Sequence, residues 1–140
     1  MPILNYTTKV PVDQTVNQIH KILAKAGASA ILSEYDGTGQ ISHISFRVNH
    51  DQGPIHFRLP ANIDGVSNAL RADKAYRDDA HSRRVAWRIL KDWIEAQMAI
   101  IEAQMAELVQ VFLPYAQTST GETVYQRCID NGFKLIEGPK

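Results

Sequence analysis

The chain has 140 residues, 44% hydrophobic and 21% charged, which suits one globular domain and excludes wholesale disorder or a fibrous repeat. Fifteen lysines and arginines balance fifteen aspartates and glutamates, so a histone-like polycation is excluded and any charge-driven role must come from local asymmetry. Cys128 is the only cysteine, which rules out an intrachain disulfide and a structural Cys₄ or Cys₂His₂ zinc site. The opening MPILNYTTKVPVD lacks the layout of a secretory signal, and no run of about 18 apolar residues occurs. A cytoplasmic protein with no membrane partner is expected.

Residues 3–8 read as a short strand closed off by Pro11. Asp13 is the expected N-cap of a first helix, in which Val16, Ile19, Ile22, Leu23 and Ala26 recur at helical spacing; Gly27 stands where a left-handed residue would end it. Three strands follow, at 29–35, 40–49 and 55–59, joined by Gly-containing turns at 36–39 and 50–54, which predicts an antiparallel meander. In the second hairpin Ile44, Phe46, Val48, Ile55, Phe57 and Leu59 form the apolar set; Ser45, Arg47, His56 and Arg58 form the polar one. Matching faces across the turn sets Phe46 against Phe57, Val48 against Ile55, Arg47 against His56 and Ser45 against Arg58.

Pro60 ends that strand, and Asn62 or Asp64 is expected to cap a short helix towards Leu70. Residues 71–81 are polar and fit helix, loop or both. From Ser82 no glycine or proline occurs until Pro114, a run of 32 residues that predicts roughly 48 Å of helix. That exceeds the diameter of a domain this size, about 40 Å, so the helix should project and be covered by something else. A short helix at 122–130, stopped by Asn131-Gly132, and a last strand at 133–136 complete the order. The fold class is α+β: a three-stranded antiparallel meander, open to added terminal strands, with a short N-terminal helix and one long C-terminal helix. One domain is expected, divided into an α/β part at 1–70, a helical arm at 71–116 and a C-terminal piece at 117–140.

The hexapeptide IEAQMA occurs at 94–99 and again at 101–106, an offset of seven. Trp87, Ile94, Ile101 and Leu108 then occupy heptad position d, and Met98, Met105 and Phe112 occupy a. Such a seam either packs on the chain's own sheet and first helix or joins copies of the chain; length and the doubled heptad favour self-association. Basic residues dominate 71–91, and acids alone occur from Asp92 to Glu107. Antiparallel pairing of two copies would match these halves.

Arg77, His81, Arg84, Arg88 and Lys91 recur at spacings of 4, 3, 4 and 3, one face of a helix, and a row of guanidiniums suits phosphate. The plainer alternative is a solvated face with salt bridges to Asp78, Asp79 and Asp92. Arg47, His56 and Arg58 form a second cationic patch. The loop 59–65 could hold an anion at a helix start, although turn and cap duty explains it as well. The histidines lack metal-ligand spacing, and His43-Ile-Ser45 resembles only half of the paired motif of two-histidine phosphoesterases. No catalytic residue, metal or cofactor is assigned, and an enzyme is the weaker expectation.

The segments FRLPANIDG (57–65), VAWRILKDWIEAQMA (85–99) and VFLPYAQ (111–117) resemble a family of small bacteriophage and prophage proteins whose motifs carry no assigned catalytic role. The resemblance implies an accessory function in the host cytoplasm, with counter-defence as the analogy. On this reading an oligomer captures an anionic nucleotide or nucleotide immune signal at an inter-subunit cleft. Arg84, Arg88 and Lys91 would contact phosphate, and Arg47, His56 and Arg58 would form the opposite wall. The alternatives are a protein–protein inhibitor of a host defence effector such as a CRISPR complex, or a nucleic-acid-binding accessory factor.

Overall fold

A computed structural model describes residues 2–139. Helix α1, Val12–Lys25, starts one residue before the expected cap: Pro11 is extended and accepts from the Thr15 N–H, which places Asp13 in the first turn, where its charge suits the helix dipole. Gly27, at φ +103°, ends the helix as expected, and Ala28 N–H closes back on the Leu23 carbonyl at 3.0 Å. The segment before α1 is a pair of turns rather than a strand. Asn5 takes φ +64°, and the Tyr6 and Thr8 amides bond to the Ile3 and Asn5 carbonyls, so the backbone bonds locally and has no ladder to join.

Strands β1 (Ala30–Tyr35), β2 (Ile41–His50) and β3 (Gly53–Pro60) form one antiparallel sheet in the order β1-β2-β3. The first turn is built on Asp36, whose Oδ1 accepts from the Thr38 hydroxyl at 2.6 Å, the Thr38 amide at 2.9 Å and the Gln40 amide at 3.1 Å. The β2–β3 register is the expected one throughout: Phe46 faces Phe57, Val48 faces Ile55, Arg47 faces His56 and Ser45 faces Arg58. One sheet face thus collects Ile44, Phe46, Phe57 and Leu59, all buried, and receives the helices.

Helix α2, Ile63–Leu70, is capped by the Asn62 side chain accepting from the Gly65 amide at 2.9 Å. Helix α3, Asp79–Glu102, is capped by Asp78 and runs 24 residues, about 36 Å. It packs on α1 and α2 and drives Trp87 and Ile94 into the core.

The 32-residue run is therefore not one helix. It breaks at 103–107, where Gln104 adopts φ +60° and the Met105 amide closes on the Ile100 carbonyl at 3.0 Å. Helix α4, Leu108–Phe112, then starts from a capping box between Glu107 and Gln110 and turns back. The return buries Phe112 completely, with ring centroids 5.5 Å from Phe46, 6.0 Å from Phe57 and 5.5 Å from Trp93. A left-handed glutamine costs about 1–2 kcal/mol. Burying one phenylalanine returns about 1.5–3 kcal/mol, and each aromatic contact adds to that. Folding back wins.

After a 3-10 turn at Leu113–Tyr115, Ala116 bridges Phe57, and the Gln117 amide donates to the His56 carbonyl at 2.7 Å. This short piece, rather than residues 133–136, extends the sheet. Helix α5, Val124–Asp130, is capped by Thr123; Gly132 and Phe133 both take positive φ, and a 3-10 turn at Lys134–Ile136 replaces the expected strand. A smaller cluster of Val66, Leu70, Val85 and Ala86, joined by Ile3 and Tyr6, ties α2 and the N-terminal turns to α3.

Candidate functional site

Strand alternation sends every second residue away from the core, and on this sheet the outward set is polar. The cross-strand ladder places Ala30 beside Arg47 and His56, Leu32 beside Ser45 and Arg58, and Glu34 beside His43. Arg58 donates from Nε to Glu34 Oε2 at 3.0 Å and from Nη2 to Oε1 at 3.3 Å, a bidentate pair spanning the sheet from β3 to β1. The Ser45 hydroxyl donates to the same Glu34 carboxylate at 2.9 Å. Hydrogen bonding from Arg58 is the main reason that the Glu34 carboxyl is held below its usual range; burial opposes this, and Ser45 assists.

His43 lies next to that pair. Its Nδ1 is 3.0 Å from the Ser42 hydroxyl and 3.5 Å from Arg58 Nη2. Arginine can only donate, so a neutral ring that accepts at Nδ1 satisfies both neighbours. Burial foremost, then the Arg58 charge, lowers the His43 pKa, with Glu34 acting in the opposite direction.

Arg47 differs from Arg58. Its Nε donates to the Ser29 hydroxyl at 3.0 Å, and no carboxylate bridges it among the described residues. A shallow cavity of about 460 Å³ lies across this face between β1 and Gln117, with Leu32, Glu34, Ser45, Arg47 and His56 on its walls. The arrangement offers one uncompensated guanidinium, one shared guanidinium and two imidazoles on a single open surface.

The helix row lies elsewhere. Arg88 Nη1 donates to Gln18 Oε1 at 2.5 Å on α1, Arg84 Nη2 lies 3.2 Å from His81 Nδ1, and Lys91 bridges Glu95 at 2.6 Å with its side chain only 11% exposed. These three groups belong to the helical layer, whereas Arg47, His56 and Arg58 point from the other side of the sheet. Within one chain the two patches do not share a cleft; the two-walled pocket expected from sequence is one between subunits.

The heptad seam also turns inward. Trp87, Ile94 and Phe112 are buried by the chain's own core, and Met98, Ile101 and Leu108 pack against it. Only Met105, 75% exposed in the loop after α3, faces solvent. The break at Gln104 divides the expected stripe between α3 and α4.

The loop 59–65 serves as strand end and cap. Its exposed Gly65 amide is already taken by Asn62, and Asp36, Asp64 and Asp79 line the cavity beside it together with Arg83. Arg83 bridges Asp79 at 2.9 Å and lies 4.0 Å from Asp36, so this end of the sheet is poorly suited to an anion. Among the described residues no group of three or more His, Cys, Asp or Glu side chains could hold a metal ion, and no helix is long and apolar enough to cross a membrane. Comparison with family models, with curated proteins and with solved structures finds no match to this chain.

Glu34, Ser42 and His43 were not singled out from sequence as binding residues. The signal was present for His43, which continues the period-two series Ser45 and Arg47 in the polar direction. Glu34 could not be found this way, because its role depends on pairing β1 with β2 and on the reach of Arg58 across both.

Proposed function

We propose that this chain is a non-catalytic binding protein that captures an anionic nucleotide or nucleotide-derived signal on the open face of its sheet. The observation that carries the reading is Arg47: a guanidinium without a carboxylate partner among the described residues, beside His56 and over an open cavity of about 460 Å³. Guanidinium geometry suits phosphate, Arg58 supplies a second fork that an incoming anion shares with Glu34, and exposed Leu32 gives a base or sugar an apolar wall. The resemblance to phage and prophage proteins supports placing such a ligand among the nucleotide signals of host immunity, with the protein acting as an oligomer in counter-defence.

Calorimetric titration with ATP and with a cyclic dinucleotide tests this. Arg47→Ala/His56→Ala should lose at least tenfold in affinity, while Arg84→Ala/Arg88→Ala should bind as the unaltered protein does. Loss confined to the second pair would move the site to the helical layer and sink the proposal.

A second reading, inhibition of a host protein, is favoured by one feature. Tyr125, Ile129, Phe133, Leu135 and Ile136 are all exposed at the C-terminal end, Leu135 at 90%. Leu135→Asp/Ile136→Asp that abolishes capture of a host effector, with no response to either nucleotide, would support it instead.

A further inference from the structure

The two long edges of the sheet are finished differently. Along β3, the Gln117 amide and the Ala116 bridge cover part of the edge, and Pro54 and Pro60 remove donors. Along β1 no further strand or bridge follows among the described residues. An exposed edge presents a row of amides and carbonyls that templates another strand, and proteins commonly blunt it with lysine, proline or a bulge. β1 has neither lysine nor proline, and its irregularity falls between Glu34 and Tyr35, leaving the stretch from Ala30 to Glu34 regular. Leu32, at the centre of that stretch, is 60% exposed on the open face.

We infer that this edge pairs with β1 of a second copy, antiparallel about a two-fold axis through Leu32. Residues facing one another across an antiparallel ladder must come from the same sheet face. Centring on Leu32 satisfies this: Leu32 meets Leu32, Ile31 meets Ser33 and Ala30 meets Glu34. Centring on Ser33 also preserves the faces, but it sets Leu32 against Glu34, an apolar group against a carboxylate.

Charge selects the same register. Ala30 is the ladder neighbour of Arg47, so Glu34 of the second copy, still held by its own Arg58 and Ser45, faces an edge backed by a cation that no carboxylate bridges among the described residues, and Arg47 keeps its guanidinium for an anion. A two-fold interface of this kind is closed and stops at a dimer, with a continuous six-stranded sheet. The cavity of the open face reaches the edge at Ala30 and Leu32, so the two cavities become one trough across the axis. The contents of that trough rest on the proposed function; the strand pairing does not.

Light scattering on the full chain at high micromolar concentration tests the pairing. The expected mass is twice 15.7 kDa, and Leu32→Lys should return it to 15.7 kDa with an unchanged circular dichroism spectrum. In a Cys128→Ser background, Leu32→Cys should oxidise to a covalent dimer, because facing Cα atoms about 4.5–5.5 Å apart lie within disulfide range; Ala30→Cys, which faces Glu34, should not. A 15.7 kDa particle at every concentration, a dimer indifferent to Leu32→Lys, or preferential crosslinking at Ala30→Cys would overturn the inference. A dimer that ignores nucleotides would instead remove the ligand site and leave the pairing standing.

Discussion

Gln104 is the residue on which the path of the C-terminal third turns, and its replacement by glycine separates two folds by the sign of one measurement. At φ +60° a side chain crowds its own carbonyl, at a cost of about 1–2 kcal/mol, and glycine has no such cost. Glycine adds roughly 0.4–1 kcal/mol of unfolded-state entropy, so Gln104→Gly should be more stable by about 0.5–1 kcal/mol net. Gln104 is exposed, so no packing is lost. In an uninterrupted helix the same change would cost about 0.5–1 kcal/mol through helix propensity. Urea unfolding followed by tryptophan fluorescence reads the difference, and the midpoint should rise by a few tenths of a molar with the slope unchanged. Phe112→Ala completes the test. Its ring is fully buried among Phe46, Phe57 and Trp93, so about 3–5 kcal/mol should be lost, far more than from a solvated stripe. A lower midpoint for Gln104→Gly together with a small cost for Phe112→Ala would refute the fold-back.

Three further outcomes follow from local geometry. Ser82→Ala should stabilise the protein by about 1 kcal/mol in the same unfolding assay, because the Ser82 hydroxyl is fully buried with no partner among the described residues and alanine is the better helix former. Asp78→Ala should cost about 1 kcal/mol, since Asp78 accepts from the His81 amide at 2.8 Å to cap α3; an unchanged melting temperature would remove that role. Glu34 and His43 both have lowered folded pKa values, so the unfolded chain holds more protons on acidification: their stabilisation is complete above pH 6.5 and declines below it, first through His43 and then, below 4.5, through Glu34. The pair is roughly one-third exposed, so Glu34→Gln should cost at most about 1 kcal/mol at pH 7, and that gap should close as pH falls through the folded Glu34 value; a gap independent of pH would sever the link.

Local rules carried the sheet. Turn chemistry at Asp36 and Gly53 and strict alternation between Ile44 and Leu59 leave one face-preserving register, and the ladder follows it residue by residue. The helix break was not legible, because the stop signals sought there were glycine and proline, and the stop is a left-handed glutamine. Its driving force is non-local: Phe112 can leave the heptad only because Phe46, Phe57 and Trp93 present a site for it. In the doubled IEAQMA segment Ile94 and Ile101 pack on the chain's own core, the first of the two uses that the heptad allowed. Residues 3–8 misled for a similar reason. Their apolar spacing fits a strand, but the turn at Asn5 lets Ile3 and Tyr6 pack against α2 and α3, with the Tyr6 carbonyl 2.5 Å from His81 Nε2 and the Asn5 amide donating to Asp92 at 2.7 Å.

The neutral charge total conceals local asymmetry. In the helical layer Arg83 pairs with Asp79 and Lys91 with Glu95, while Arg84 and Arg88 meet only uncharged partners, the His81 ring and oxygens on α1. On the open face Glu34 is committed to Arg58, and the charge of Arg47 remains. An anion arriving there gains one guanidinium outright and the second only in competition with Glu34. Attraction from a single exposed charge is modest and strongly screened, so affinity must come from hydrogen-bond geometry and from contact with Leu32. The salt response of binding should therefore be shallow, about one counterion rather than the six or more of a nucleic-acid groove. A steep dependence on salt would show that the ligand spans more phosphates than one face of this sheet can meet, and would point to a polymer rather than a nucleotide.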